Sequence, residues 1–169
     1  MHQSHQSSSH TKVIEVYLSY SSKDEKMRKE LETSLSNLEL QGDIIIWHEG
    51  KIRAGKNRQI EIDKHLNSSR IILLLISQNL IASEEKRNEI KRAIERRNDG
   101  ACIIPVLLSS TANWQSIKFG DCKLGDFPTL PKNRKFITDR RYWKSQNEAF
   151  VTLAEEFVEE VERLAAESA

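Results

Sequence analysis

The chain has 169 residues, 38% of them apolar and 30% charged, with a net charge of +1. This is the make-up of one globular domain with a core large enough to hold without cross-links. A near-neutral balance gives no global pull towards nucleic acid or a membrane surface, and no apolar run approaches the ~20 residues of a spanning helix, so neither nucleic acid nor membrane is expected as a partner.

Residues 1–12 are largely Ser, His and Gln with nothing to bury, and are expected to form a disordered tail ahead of a domain over 13–166. His2, His5 and His10 have no Cys or carboxylate cluster beside them, so no metal site is expected. The N-terminus lacks the apolar region of a signal peptide. Cys102 lies in an apolar run and Cys122 in a polar loop. Two cysteines so placed make no disulfide framework, which points to the cytoplasm, and Cys102 reads as a small buried hydrophobe.

The run 13–18 is β-branched and aromatic and predicts the first strand. Ser22 and Glu25 have capping-box spacing, so a helix should start there. Met27, Leu31, Leu35 and Leu38 mark its apolar face, and it should end before Gly42. Residues 44–47 are the second strand. The loop that follows carries Gly50 and Gly55 with Lys51, Arg53 and Lys56. A pliable basic loop at the carboxyl end of a strand suits an anionic ligand such as a nucleotide pyrophosphate; it also suits a plain solvated connection. A second helix should begin near Asn57, with Ile60, Leu66 and either Ile62 or Asp63 inward.

Residues 70–76 are aliphatic on both faces, as in a central strand of a parallel sheet. Ser77 or Asn79 can cap a third helix with Ile90, Ala93 and Ile94 inward, ending at Asp99 and Gly100. Residues 101–108 are a fourth strand in which Pro105 belongs near an end or beside a bulge. The stretch 109–133 is too long to be structureless, so a short helix is expected over 113–118, and 135–138 is expected to be a short edge strand. Trp114 and Trp143 read as packing residues. Phe150, Leu153, Phe157, Val161 and Leu164 mark a long amphipathic helix to the C-terminus.

This alternation predicts an α/β, flavodoxin-like three-layer sandwich. Its five-stranded parallel sheet has the order 2-1-3-4-5 with helices on both faces. The crevice of such a fold opens where the order reverses, between strands one and three, and the loop after strand two lies beside it.

Six stretches in this order carry a resemblance: 16–24, 47–55, 72–77, 82–93, 103–108 and 148–150. Together they resemble a TIR (Toll/interleukin-1 receptor) domain of the bacterial type over about 13–164. The resemblance implies two roles. TIR domains associate with one another through their helices and the loop after strand two, here 47–55, which implies other TIR domains as partners and a homo-oligomer or filament on activation. Many bacterial ones also split NAD+ into nicotinamide and ADP-ribose or cyclic ADP-ribose in antiviral defence and cell-death signalling. NAD+ is then a substrate, and no cofactor is implied.

The resemblance places the catalytic glutamate of the family at Glu89. Cleavage of the nicotinamide–ribose bond passes through an oxocarbenium-like state. The leaving group is already cationic and departs neutral, so one carboxylate suffices, holding ribose hydroxyls and stabilising the positive charge as it develops. A solvated helix glutamate paired with Arg92 is the ordinary alternative. Where the family carries an aromatic and a cysteine just before this glutamate, the chain has Glu84, Glu85 and Lys86.

The candidate substrate-binding residues are Ser21, Ser22 and Lys23, where helix-terminal amides meet anions, and Trp47, Arg53, Gly55 and Lys56 around the loop. Two other functions stay open at this point. One is a non-catalytic TIR scaffold; the other is a nucleoside deoxyribosyltransferase-like enzyme with a glutamate nucleophile.

Overall fold

The computed structural model describes residues 12–167. Ile14–Ser19 forms β1, Ile44–Trp47 β2, Ile71–Ile76 β3 and Cys102–Leu107 β4. They pair in parallel in the order β2-β1-β3-β4. The strand order reverses between β1 and β3, as the alternation of elements predicts. All six residues of β3 are buried, which a strand covered on both faces demands.

Helices cover both faces. Glu25–Ser34 (α1), Ser36–Leu40 (α2) and Gln146–Glu167 (α6) lie on one side. There Leu31, Leu35 and Leu38 meet Ile14, Val16 and Leu18 of β1 and Phe150, Leu153 and Phe157 of α6. Arg58–Ser68 (α3), Gln78–Ala82 (α4) and Glu84–Glu95 (α5) lie on the other, where Ile62, Leu66, Leu80, Ile90, Ala93 and Ile94 pack on Tyr17, Ile72 and Leu74. The fold is the flavodoxin-like three-layer sandwich. No helix among the described residues is long and apolar enough to cross a membrane.

Several local expectations need correction. The main sheet has four strands, not five. Leu107 N–H donates to the Leu130 carbonyl at 2.9 Å and Leu130 N–H to the Pro105 carbonyl at 3.0 Å, but this pairing is an isolated bridge. The next pair of ladder bonds would need N–H groups on Pro105 and Pro128, and proline has none. Residues 135–138 form no strand; Ile137 N–H reaches the Leu107 carbonyl at 2.8 Å and the pairing stops at Thr138. Pro105 sits inside β4, on the edge that this broken fifth position leaves open. Its carbonyl points outward to Leu130, so the missing N–H costs no bond to β3.

The expected capping box at Ser22 and Glu25 is absent: Ser21 Oγ accepts from Lys23 N–H at 3.2 Å and caps a short 3-10 turn, Ser22–Asp24, which leads into α1 with no side-chain cap at Asp24. The third predicted helix is two helices: Ser77 caps α4 and Ser83 caps α5. Ile60 is 62% exposed, and Ile62 is the inward residue of α3. The stretch 113–118 holds a 3-10 turn, Trp114–Ser116, and a two-residue hairpin, Lys118–Phe119 (β5) with Cys122–Lys123 (β6), follows. Cys102 is half-buried; burial still pushes its thiol pKa up. The predicted tail and its three histidines lie outside the described residues, except for Lys12.

Candidate active site

β1 alternates its side chains, so Glu15, Tyr17 and Ser19 share the face towards α3 and α5. Glu89 comes down on this face from α5, one helical turn before the apolar contact of Ala93. It is 3% exposed. Ser19 Oγ donates to Glu89 Oε2 at 2.6 Å, and Lys86 Nζ lies 3.4 Å from Oε1. The Tyr17 phenol also sits against this carboxylate. Burial first, and the Glu89 charge second, push the Tyr17 pKa up, so its hydroxyl stays protonated and available as a donor. A buried carboxylate costs several kcal/mol unless charges and donors meet it; here both oxygens are met. Arg92, three residues on, pairs with Asp63 of α3 instead.

Lys86 is buried too, and it bridges Glu89 to Glu49 at the start of the loop after β2. Arg58, the first residue of α3, donates to Glu49 Oε2 at 2.8 and 3.2 Å and to Glu85 Oε2 at 2.6 Å. Burial alone would raise the Glu49 pKa, but Lys86 and Arg58 outweigh it and hold the carboxyl below its usual range. The result is a chain of alternating charge, Glu89–Lys86–Glu49–Arg58–Glu85. A cleft of about 360 Å³ opens beside it, lined by Gln59, Ile62, Glu85, Asn88, Glu89 and Arg92.

The other candidate residues fall in two groups. Ser21 is buried and Ser22 and Lys23 are exposed on the 3-10 turn after β1. This turn is tied across the switch point, because Asp24 accepts from Ser77 Oγ and from Asn79 Nδ2. Trp47 is buried, tilted against Tyr17 at 5.3 Å and stacked on His65 at 4.2 Å. Arg53, Gly55 and Lys56 are exposed in the loop. Gly55 has φ +85, where a Cβ is strained. Among the described residues, none of these seven forms a hydrogen bond with Glu89.

Sequence reasoning missed Tyr17, Ser19 and Glu49 as neighbours of Glu89. The period-two spacing of Glu15, Tyr17 and Ser19 was the available signal for the first two. Glu49 left none, because its partners lie on other elements.

The loop is anchored at its base by His48. Gly50 N–H donates to His48 Nδ1 at 3.1 Å, so the ring proton sits on Nε2 and points to Glu32 Oε1 of α1 at 3.0 Å. Burial would raise the Glu32 pKa, but His48 and Arg28 overcome this and lower it to about 2. A depressed carboxyl pKa stabilises the fold above the unfolded value of 4.5 and loses that contribution as pH falls towards 2. The contribution is at most about 3 kcal/mol at neutral pH. Urea unfolding should therefore show wild type more stable than Glu32→Gln at pH 7, with the gap closing towards pH 2. An equal gap at both ends would refute the assignment.

The TIR domain family matches residues 16–137. The chain is 40% identical over 141 residues to the uncharacterized protein y4lF of Sinorhizobium fredii (strain NBRC 101917 / NGR234), covering 82% of this chain and 41% of that one. The chain thus spans less than half of that relative. In fold it is similar to the TIR domains of the activated Roq1 resistosome that directly recognizes the pathogen effector XopQ, with a TM-score of 0.51, 20% identity and 84% of each chain covered. On the extent of the family match, this chain belongs to the TIR domain family.

Proposed function

We propose that this TIR domain cleaves NAD+ at the nicotinamide–ribose bond, with Glu89 as the essential carboxylate, in a defence or cell-death response triggered by assembly with other copies. The observation that supports this reading best is a buried glutamate at the carboxyl end of β1, held by Ser19 and Tyr17 beside a cleft. Such a carboxylate is oriented before substrate arrives, and it can stabilise a ribosyl cation in surroundings that water screens little. Ser21, Ser22, Lys23, Trp47, Arg53, Gly55 and Lys56 then frame the substrate and the contact with a neighbouring domain. The protein works in the cytoplasm and needs no cofactor.

A second reading is a scaffold that only associates with other TIR domains. It is favoured by Glu84, Glu85 and Lys86, which stand where the family resemblance implies an aromatic and a cysteine; Glu85 is tied to Arg58 instead.

One experiment separates the readings. The protein is incubated at low and high concentration with NAD+, or with a panel of deoxynucleosides, and products are identified by mass. Nicotinamide release that rises steeply with concentration is expected. Base exchange on deoxynucleosides would replace NAD+ cleavage with the transferase reading. No turnover at any concentration, with self-association that Gly55→Pro disrupts, would replace it with the scaffold.

A further inference from the structure

The carboxylate at the wall of this cleft is covered. Glu89 is 3% exposed, and both of its oxygens are occupied. A carboxylate that binds ribose hydroxyls must offer them an oxygen, and one that stabilises a developing cation should not already hold an ammonium group. The side chain that stands in the way is Lys86. It is on the same helix as Glu89, but it also holds Glu49 at the start of the loop. Arg58, at the far end of the loop, holds the same Glu49 and Glu85 of α5. Helix α5 therefore clasps both ends of the segment 49–58.

We propose that Lys86 is an inhibitory latch: in the unassembled chain it blocks Glu89 and, through Glu49, fastens the loop after β2 to α5. This regulation rests on the NAD+ reading of the same site, whereas the tether to the loop does not. When the loop moves, as when a second copy of the chain docks on it, Glu49 leaves and carries the Lys86 ammonium away from Glu89. One displacement thus frees the carboxylate at the wall of the cleft. The exposed loop, with its positive-φ glycine, is built to take such a change, while α5 stays fixed by Ile90, Ala93 and Ile94 in the core. A latch that leaves the open form rarely populated lowers apparent affinity for substrate by that fraction.

The test uses hydrogen exchange and turnover side by side. The amides of Gly50, Lys51, Ile52 and Lys56 all have acceptors in the closed loop, so their exchange reports its opening. Lys86→Met should speed their exchange. It should also raise nicotinamide release by dilute protein at least about tenfold, through a lower KM for NAD+. Glu49→Gln should speed exchange without raising turnover, because Lys86 then stays on Glu89. Glu49→Gln also serves if Lys86→Met does not fold, since it leaves the buried Lys86–Glu89 pair in place.

Loop exchange at the wild-type rate in either folded variant would overturn the latch. So would a Lys86→Met loop that opens with no gain in turnover, in a protein whose wild type cleaves NAD+, and so would equal activation by both variants. If no protein turns over NAD+ at any concentration, the NAD+ reading fails. The exchange rates alone then decide whether Lys86 ties the loop.

Discussion

Glu89→Gln is expected to fold like wild type and to release nicotinamide about a hundred to a thousand times more slowly, the loss seen when one preorganised electrostatic contact to a transition state is removed. The substitution keeps the shape of the side chain. The amide oxygen can still accept from Ser19, whose bond to Glu89 is 2.6 Å, and Lys86 retains Glu49. What disappears is the negative charge facing the ribosyl cation. The loss should fall on kcat more than on KM, because the charge matters most where the cation develops. Stability should change little, since the buried carboxylate loses its charge while the buried Lys86 keeps Glu49 as its counter-ion. Circular dichroism melts and nicotinamide release at matched high concentration measure both halves. A variant that turns over at the wild-type rate would end the catalytic assignment of Glu89, and a variant that unfolds would make Glu89 a structural residue.

How far the fold could be read in advance follows from the kind of information each feature needs. Ile71–Ile76 and the apolar steps of α6 depend on local periodicity alone, and both lie where expected. The fifth strand depended on register. Only when Leu130 is set between Pro105 and Leu107 does it emerge that the next two bonds would fall to prolines at 105 and 128. Ile60 and Ile62 are both compatible with an amphipathic α3, and the choice is made by how the helix rotates over Trp47 and Ile72.

The site shows the same division. Glu89 could be picked out through a resemblance that spans the chain, and Tyr17 and Ser19 share its face by simple alternation along β1. Lys86 looked like one more charge on a charged helix. Its burial is dictated by two carboxylates, one 37 residues away in sequence, and no local pattern carries that.

Phe157→Ala should destabilise the protein by about 3 to 5 kcal/mol, the usual cost of emptying a large buried aromatic site. The side chain is fully buried, at 0% exposure. It belongs to the cluster that joins α6 to Ile104, Val106, Leu130 and Ile137. This is the side of the sheet where the fifth strand has shrunk to a single bridge, so β4 has little strand pairing beyond it, and packing against α6 carries its share of the cohesion. The surrounding backbone cannot easily collapse into the void, because the prolines at 105, 128 and 131 restrict it. A loss of that size is a large part of the ~5–15 kcal/mol that holds a domain together. Val151→Ala on the same helix, at 47% exposure, should change stability by no more than about 0.5 kcal/mol. Helix propensity favours Ala in both substitutions, so a difference between them isolates packing. Urea unfolding midpoints, with the slope checked for constancy, provide the comparison. Equal midpoints for the two variants would mean that α6 does not bury its apolar stripe on the sheet, and the three-layer packing would have to be redrawn on that side.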